Sequence, residues 1–193
     1  MVVRHPVHQA DQFDRLYATE TTRVEALSTL QINSPNARFG HRYQPAPQWV
    51  IEMGVNCLAI DVRGYQFIDL GCGKGRALIV AHMMGFRNVI GVEFVEKFVE
   101  IAHRNVAALG IKNVSIFHSD AAHFRTPAAD SVVFLYNPFG PEVMASVVTN
   151  LKAHRGRLFV VYYVPKCGGL LDLGGGLARL HSPLWNLGVW QKT

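Results

Sequence analysis

The sequence lacks the long apolar segments that membrane insertion and secretion require. None of its apolar runs reaches the roughly 18 residues of a membrane-spanning helix. The first residues, MVVRHPVHQADQF, contain no apolar core of a signal peptide. We therefore expect a cytoplasmic protein that has no membrane partner.

Cysteine is also scarce, with only Cys57, Cys72 and Cys167 in the chain. An odd number of widely separated cysteines fits free thiols in a reducing compartment better than a disulfide framework. A structural zinc site normally uses closely paired ligands such as Cys-x2-Cys, and no such pair occurs. We therefore expect no metal site.

Charged residues make up only 17% of the 193 residues, and no block of about five or six like charges occurs. The formal net charge of +5 permits an acidic partner, nucleic acid included, but does not indicate one. Apolar residues account for 49% of the chain, which is enough for one domain with a sizeable core.

From Gly64 onwards, apolar segments with strand and helix periodicity alternate. Glycines at positions 85 and 110 are placed to end two of the helices. This alternation predicts βαβ units, and hence a parallel sheet with helices on both faces. The predicted strands are 65–70, 88–92, 114–117, 131–136 and 157–164, and the predicted helices are 77–84, 96–109 and 141–153.

The two flanks depart from this alternation. Roughly helical spacing from Phe13 through Val24 to Leu30 predicts an N-terminal helix, which turn-forming residues at 33–36 would end. After the fifth strand, the segment 167–176 is too rich in glycine for a confident helix prediction. Beyond it, 178–181 and 187–190 are predicted to form a closing pair of strands.

A further helix is predicted to begin after two prolines, at positions 45 and 47, that stiffen the chain. Its apolar side is expected to consist of Trp49, Val50, Met53 and Cys57.

The stretch DLGCGKGR, residues 69–76, joins the first predicted strand to its helix. Glycines in such a turn let a ligand approach the backbone N–H groups closely. A dinucleotide turn, G-x-G-x-x-G, would need glycine where Arg76 stands. A P-loop would need Lys and then Ser or Thr after the last glycine, but Arg76 and Ala77 follow it. The turn therefore argues against both ligand classes.

Two acidic residues follow the next two predicted strands. Glu93 lies 18 residues after Gly75 and suits an unphosphorylated ribose, because a carboxylate would repel a 2′-phosphate. Asp120 follows the third strand, where it could bind the amino group of an adenine. Each feature also has a purely structural explanation: a tight turn, a helix-start acid and a loop cap. Their joint occurrence in this order favours the ligand site.

The glycine turn, Glu93 and Asp120 together resemble the class I (seven-strand) S-adenosylmethionine-dependent methyltransferases, including small bacterial members, over about residues 43–164. The resemblance implies a Rossmann-like, mostly parallel α/β sheet of about seven strands with helices on both faces. It also implies a single domain over 1–193, with an N-terminal helical extension or lid at 1–45 and the core at 46–193.

The resemblance assigns the cofactor, S-adenosyl-L-methionine, and its product, S-adenosyl-L-homocysteine, to particular residues. The ribose falls to Glu93, and an aromatic residue, Tyr43, would cover the cofactor. A reactive thiol is the alternative for Cys72, but in these relatives Cys or Ser is usual at that position of the turn. The amino-acid end of the cofactor falls to Asp69, Gly71, Cys72, Gly73 and Gly75, and the adenine to Asp120 and Ala121.

The fourth predicted strand ends in Asn137-Pro138-Phe139, which looks like a shortened form of the [DN]-P-P-[YF] motif of N-methyltransferases. Asn137, which would also border the cofactor, is expected to orient the lone pair of an amine. Pro138 would stiffen the turn, and Phe139 would face the partly cationic nitrogen. The alternative is a simple turn into the next helix.

The segment RYQPAP, residues 42–47, looks like the Y-x-P-x-P lead-in of some protein-lysine methyltransferases, or else forms a rigid entry turn. We therefore expect N-methylation of a protein lysine or another amine. O- or C-methylation of a small molecule would need a base, for which His118 and His123 are candidates. A non-catalytic cofactor-binding domain and a nucleic-acid acceptor are further alternatives.

Overall fold

Seven strands form one sheet in a computed structural model, which describes residues 6–25 and 43–193. The strands are β1 (Gln66–Leu70), β2 (Asn88–Glu93), β3 (Val114–His118), β4 (Ser131–Tyr136), β5 (Leu158–Tyr163), β6 (Leu177–Arg179) and β7 (Leu187–Lys192). Their order in the sheet is β3-β2-β1-β4-β5-β7-β6. The first five strands are parallel, and β7 runs antiparallel to both β5 and β6.

Helices cover both faces of this sheet. They are α1 (Pro6–Tyr17), α2 (Gln48–Asn56), α3 (Arg76–Met83), α4 (Glu96–Ala108), α5 (Pro141–Lys152) and the four-residue α6 (Gly169–Asp172). Phe67 and Phe134 face the core that α2, α3 and α4 share, whereas Ile68 and Val133 face the core beneath α5 and α6. Successive strand residues point to opposite faces, and both faces are covered, so β1 is buried along its whole length.

The predicted α/β architecture is confirmed, with bounds within one residue for the first five strands and for α3, α4 and α5. Gly85 and Gly110 follow two of these helices with φ angles of 91° and 64°. These left-handed conformations favour glycine and end the helices locally. The closing strand pair is also confirmed as β6 and β7. None of the helices in the described ranges is long and apolar enough to cross a membrane.

The predicted apolar side of α2 was wrong apart from Val50. The buried residues are Val50, Ile51, Gly54 and Val55, whereas Trp49 is 41% exposed and Cys57 is exposed. Apolar periodicity could not identify this face, because the residue of α2 that lies against β5 is Gly54, which has no apolar side chain to mark the contact. A Cβ at Gly54 would lie 2.5 Å from Val161 Cγ1.

The N-terminal helix is shorter than predicted. It ends at Tyr17, Ala18 has a φ of 51°, and Val24 is 51% exposed and lies outside any helix or strand. The chain leaves the helix because the Asp14 carboxylate accepts backbone N–H groups of Thr21 and Thr22 at 2.8 and 2.6 Å. Leu30, the turn at 33–36 and Arg42 lie outside the described residues.

Substitution at Gly54 tests the contact between α2 and the sheet. We expect Gly54→Ala to lower the free energy of unfolding by about 1–2 kcal/mol, because overpacking outweighs the gain in helix propensity. Urea denaturation measures this change. Gly64→Ala is the matched control, because nothing lies within 4 Å of its Cβ position. Equal destabilisation of both variants would contradict the steric explanation.

Candidate functional site

A cavity of about 650 Å³, measured to its open mouth, lies at the carboxyl ends of β1, β2 and β4. The carboxyl edge of a parallel sheet is where ligands bind in open α/β folds. The lining contains eight residues predicted from the sequence: Tyr43, Asp69, Gly71, Cys72, Glu93, Asn137, Pro138 and Phe139.

Glu93 joins the glycine turn to the start of α4. Its Oε2 accepts the Gly73 N–H at 2.9 Å, and its Oε1 accepts the Val95 N–H at 2.9 Å. Burial raises the pKa of Glu93, although these backbone donors oppose the rise. The helix-start role considered for Glu93 therefore coexists with its position in the cavity wall.

Asp69, at the end of β1, is a second buried carboxyl group in the cavity wall. Burial raises its pKa to about 8, and the charge on Glu93 adds to the rise. A carboxyl group held in this way favours a cationic ligand group, which would restore its charged form. This end of the cavity therefore suits a ligand that carries positive charge.

Cys72 lies beside these acids, and its thiol is poorly suited to nucleophilic chemistry. Burial, Asp69 and Glu93 all raise its pKa well above the ordinary value. Nucleophilic cysteines need the opposite environment, one that stabilises the thiolate. These surroundings thus favour a structural role for Cys72 in the glycine turn over a role as a nucleophile.

Two glycines of the turn are required by what packs against them. At Gly71, where φ is 88°, a Cβ would lie 2.8 Å from Pro138 Cβ. At Gly73, where φ is 52°, a Cβ would lie 2.3 Å from the Tyr43 ring. Any side chain at either position would therefore displace one wall of the cavity.

Asn137 follows β4 at the opposite side of the cavity from Glu93. It has a φ of 39°, which is a strained conformation for a residue other than glycine. Its Oδ1 is buried and has no hydrogen-bond partner among the described residues. A buried acceptor without a donor is costly, and this one belongs to a residue of the cavity lining.

Four predicted site residues lie outside the cavity lining: Gly73, Gly75, Asp120 and Ala121. Asp120 Oδ1 accepts the Ala122 N–H at 2.9 Å, as expected of a loop cap. Ala121 is buried in the core under α5. The ligand roles of all four stay predictions.

The two histidines proposed as alternative bases do not line the cavity. His123 is exposed, and the Nε2 of His118, also exposed, lies 3.1 Å from the Phe94 carbonyl oxygen. Within residues 6–25 and 43–193, no group of three or more His, Cys, Asp or Glu side chains could hold a metal ion.

The cavity also contains residues that the sequence reasoning missed. Phe94 directly follows Glu93, Tyr136 directly precedes Asn137, and Arg76 ends the glycine turn. Adjacency to a predicted site residue was the available signal in each case. Phe98 also lines the cavity, but its helical spacing indicated only a core position.

Comparison with known proteins yields a family match over the core. A family model described as a methyltransferase domain matches residues 61–164. A protein-L-isoaspartate O-methyltransferase of Archaeoglobus fulgidus is 29% identical over 103 residues, covering 52% of this chain and 48% of that protein. A ribosomal protein L11 methyltransferase of Caldanaerobacter subterraneus is 40% identical over 65 residues, covering 34% and 21%. The chain therefore spans less than half the length of these two relatives.

A similar fold is present in the crystal structure of an RNA methyltransferase from Salinibacter ruber in complex with S-adenosyl-L-homocysteine. The TM-score is 0.58 at 20% sequence identity, and the match covers 77% of this chain and 92% of that chain. At this identity, the likeness concerns the fold alone.

The raised pKa of Asp69 predicts a pH dependence of stability. Its folded-state pKa of about 8 exceeds the ordinary 3.8, so the folded protein binds more protons between these values. The free energy of unfolding should therefore fall, relative to that of Asp69→Asn, as pH rises from about 4 to about 8. Urea denaturation of both ligand-free proteins across this range measures the difference. Parallel pH profiles would contradict the assigned titration.

Proposed function

Because the chain belongs to the class I S-adenosylmethionine-dependent methyltransferases, we propose that it transfers the cofactor's methyl group to the nitrogen of an amine, and that a protein lysine is the favoured acceptor. The observation that carries this proposal is the buried Oδ1 of Asn137, which has no partner among the described residues. An amine N–H is the donor that this oxygen lacks.

The cavity fits the cofactor. S-adenosylmethionine has a positively charged sulfonium and ammonium group, and the cavity wall holds two buried carboxyl groups, Asp69 and Glu93. We assign the ammonium to Asp69 and the ribose hydroxyls to Glu93. Phe94, at the carboxyl end of β2, offers an aromatic face for the adenine.

The residues around Asn137 suit an amine that carries an aliphatic stem. Phe134, Tyr136 and Phe139 line the cavity beside it, and apolar walls of this kind accommodate the methylenes of a lysine. Pro138 contacts Gly71, so the acceptor turn stays at a fixed distance from the glycine turn. This arrangement holds the acceptor nitrogen close to the end of the cavity assigned to the cofactor.

When bound, the cofactor would supply the methyl group, its sulfur would keep the electron pair of the broken bond to the methyl carbon, and the amine proton would pass to water. Asn137 contributes orientation rather than proton transfer: its Oδ1 accepts one amine N–H and directs the lone pair towards the methyl carbon. A neutral amine needs no general base for this step.

The same geometry disfavours oxygen and carbon acceptors. A hydroxyl or carbon acid would need a base, and neither of the two candidate histidines, His118 and His123, lines the cavity, whose carboxyl groups are assigned to the cofactor. A carboxylate needs no base, but its oxygens would face another acceptor at Asn137 Oδ1 and the acidic residues beyond it. The names of the two curated relatives indicate protein substrates, which supports a protein acceptor over nucleic acid.

We further propose that residues 1–193 act as one domain in the cytoplasm, with 1–45 as a lid and 46–193 as the core. One continuous sheet supports the single domain. The free thiols of Cys57, Cys72 and Cys167 are consistent with a reducing compartment.

Methyl transfer into cell extract tests the acceptor class. With cofactor labelled in its methyl group, we expect the label to enter the protein fraction and to resist mild base, because methyl–nitrogen bonds survive conditions that hydrolyse methyl esters. Loss of the label in base would indicate a carboxylate acceptor. Label confined to nucleic acid would contradict the protein acceptor, and an absence of transfer would favour a non-catalytic cofactor-binding domain.

Asn137→Ala tests the acceptor-orienting role. We expect kcat to fall about 100-fold through lost orientation. The Kd for S-adenosylhomocysteine, measured by calorimetry, should change less than about threefold. Glu93→Ala is the matched contrast, since it should lose binding together with the stabilisation of about 2.7 kcal/mol that ligand at 100 times Kd confers. If Asn137→Ala also lost binding, Asn137 would be structural.

A further inference from the structure

Two cations of the glycine turn are buried although neither was predicted to have a partner. Lys74 has no exposed surface, and Arg76 is 3% exposed. Burying a charge is costly unless oppositely charged or polar groups compensate for it. For both residues, the compensation comes from residues 13–25, which we call the N-terminal strap.

Lys74 pairs with the far end of the strap. Its Nζ lies 2.7 Å from Glu25 Oε1 and 3.6 Å from Glu20 Oε1, and it donates to the Arg23 carbonyl oxygen at 3.3 Å. The Glu25 side chain is itself only 9% exposed. Lys74 and Glu25 therefore form a buried ion pair. Removing either side chain would strongly destabilise the folded protein, because the other charge would stay buried without its partner.

Arg76 holds the nearer part of the strap. Its Nε donates to Thr21 Oγ1 at 2.7 Å, and its Nη2 donates to Thr22 Oγ1 at 3.0 Å. Asp14 Oδ1 lies 3.6 Å from the same Nη2, and the guanidinium carbon lies 4.6 Å from the centre of the Phe13 ring. The planar guanidinium thus contacts the strap at several points.

A third anchor comes from α4. Asn105 Oδ1 accepts the Glu20 N–H at 2.9 Å, and its Nδ2 donates to the Glu20 carbonyl oxygen at 3.3 Å and to the Lys74 carbonyl oxygen at 2.9 Å. This buried amide fastens the strap and the glycine turn to one helix.

The strap in turn fixes Tyr43, which is part of the cavity wall. The Tyr43 N–H donates to the Glu25 carbonyl oxygen at 2.9 Å, and its hydroxyl donates to the Thr21 carbonyl oxygen at 2.7 Å. Its ring lies against Gly73, with Lys74 Nζ 5.2 Å from the ring centre. These two hydrogen bonds of Tyr43 are thus both with the strap.

We propose that Lys74 and Arg76 are positioning residues for the cofactor site, which act by holding the N-terminal strap and, through it, the Tyr43 wall. The proposal rests on the proposed function in that the ligand of this cavity is S-adenosylmethionine. Lys74 does not line the cavity, so its side chain acts on the ligand through the strap and through the Tyr43 ring beside it.

Lys74→Met tests the proposal with binding rather than turnover as the readout. We expect the Kd for S-adenosylhomocysteine to rise about tenfold and its dissociation rate to rise in parallel, because the strap no longer holds the Tyr43 wall. Hydrogen exchange of strap amides should also become faster. Lys97→Met is the matched control, because the exposed Lys97 pairs with the other oxygen of Glu25 at 2.7 Å. It should change the Kd less than about twofold.

A second variant allows for the possibility that Lys74→Met folds poorly. Thr21→Val keeps the side-chain volume but removes the hydroxyl that accepts from Arg76 and donates to Asp14 at 2.6 Å. Thr21→Val should also raise the Kd for S-adenosylhomocysteine and speed the hydrogen exchange of strap amides, but by less than Lys74→Met. Faster hydrogen exchange of the strap with an unchanged Kd would overturn the role of the strap in cofactor binding but leave the proposed function standing. Failure of the wild type to bind S-adenosylhomocysteine would overturn the proposed function as well.

Discussion

The site depends on one buried carboxylate, that of Glu93. It lies at the end of β2 and accepts N–H groups from the turn after β1 and from the start of α4. Two adjacent βα connections are therefore fastened to each other at the point where the cavity opens. Without these donors the buried charge would be costly, and without the charge the turn would lack its acceptor. Fold and ligand site thus share the same interaction.

The alternating glycines bring the other walls to this centre. Each glycine of the turn meets a different neighbour: Gly71 meets Pro138, Gly73 meets Tyr43, and Gly75 meets Ala102 of α4. The spacing G-x-G-x-G therefore allows three close contacts: with the turn after β4, with the Tyr43 ring that the strap holds, and with α4. The intervening side chains are used differently, since Cys72 lines the cavity while Lys74 points to the strap.

The core fold was predictable because its signals are local. Apolar periodicity together with Gly85 and Gly110 sufficed to place α3 and α4, and order along the chain sufficed to bring Asp69, Glu93 and Asn137 to one cavity. What could not be predicted depends on distant partners. The buried face of α2 is set by Val161, and the end of α1 by hydrogen bonds to Asp14. Lys74, a charged residue in a turn, gave no sign that its partner lies about 50 residues earlier in the chain.

The placement of β7 between β5 and β6 constrains the order in which the sheet can assemble. Although β6 precedes β7 in the chain, β7 is its neighbour among the described strands, so β6 can join the sheet only together with β7 or after β7 has paired with β5. Until β7 pairs, β5 is an open edge with unpaired N–H and C=O groups, and Leu158, Val160 and Tyr162 lie on the face that shares a core with Trp190. Pairing with β7 is therefore what protects this edge from pairing with another chain, the route by which open strands aggregate.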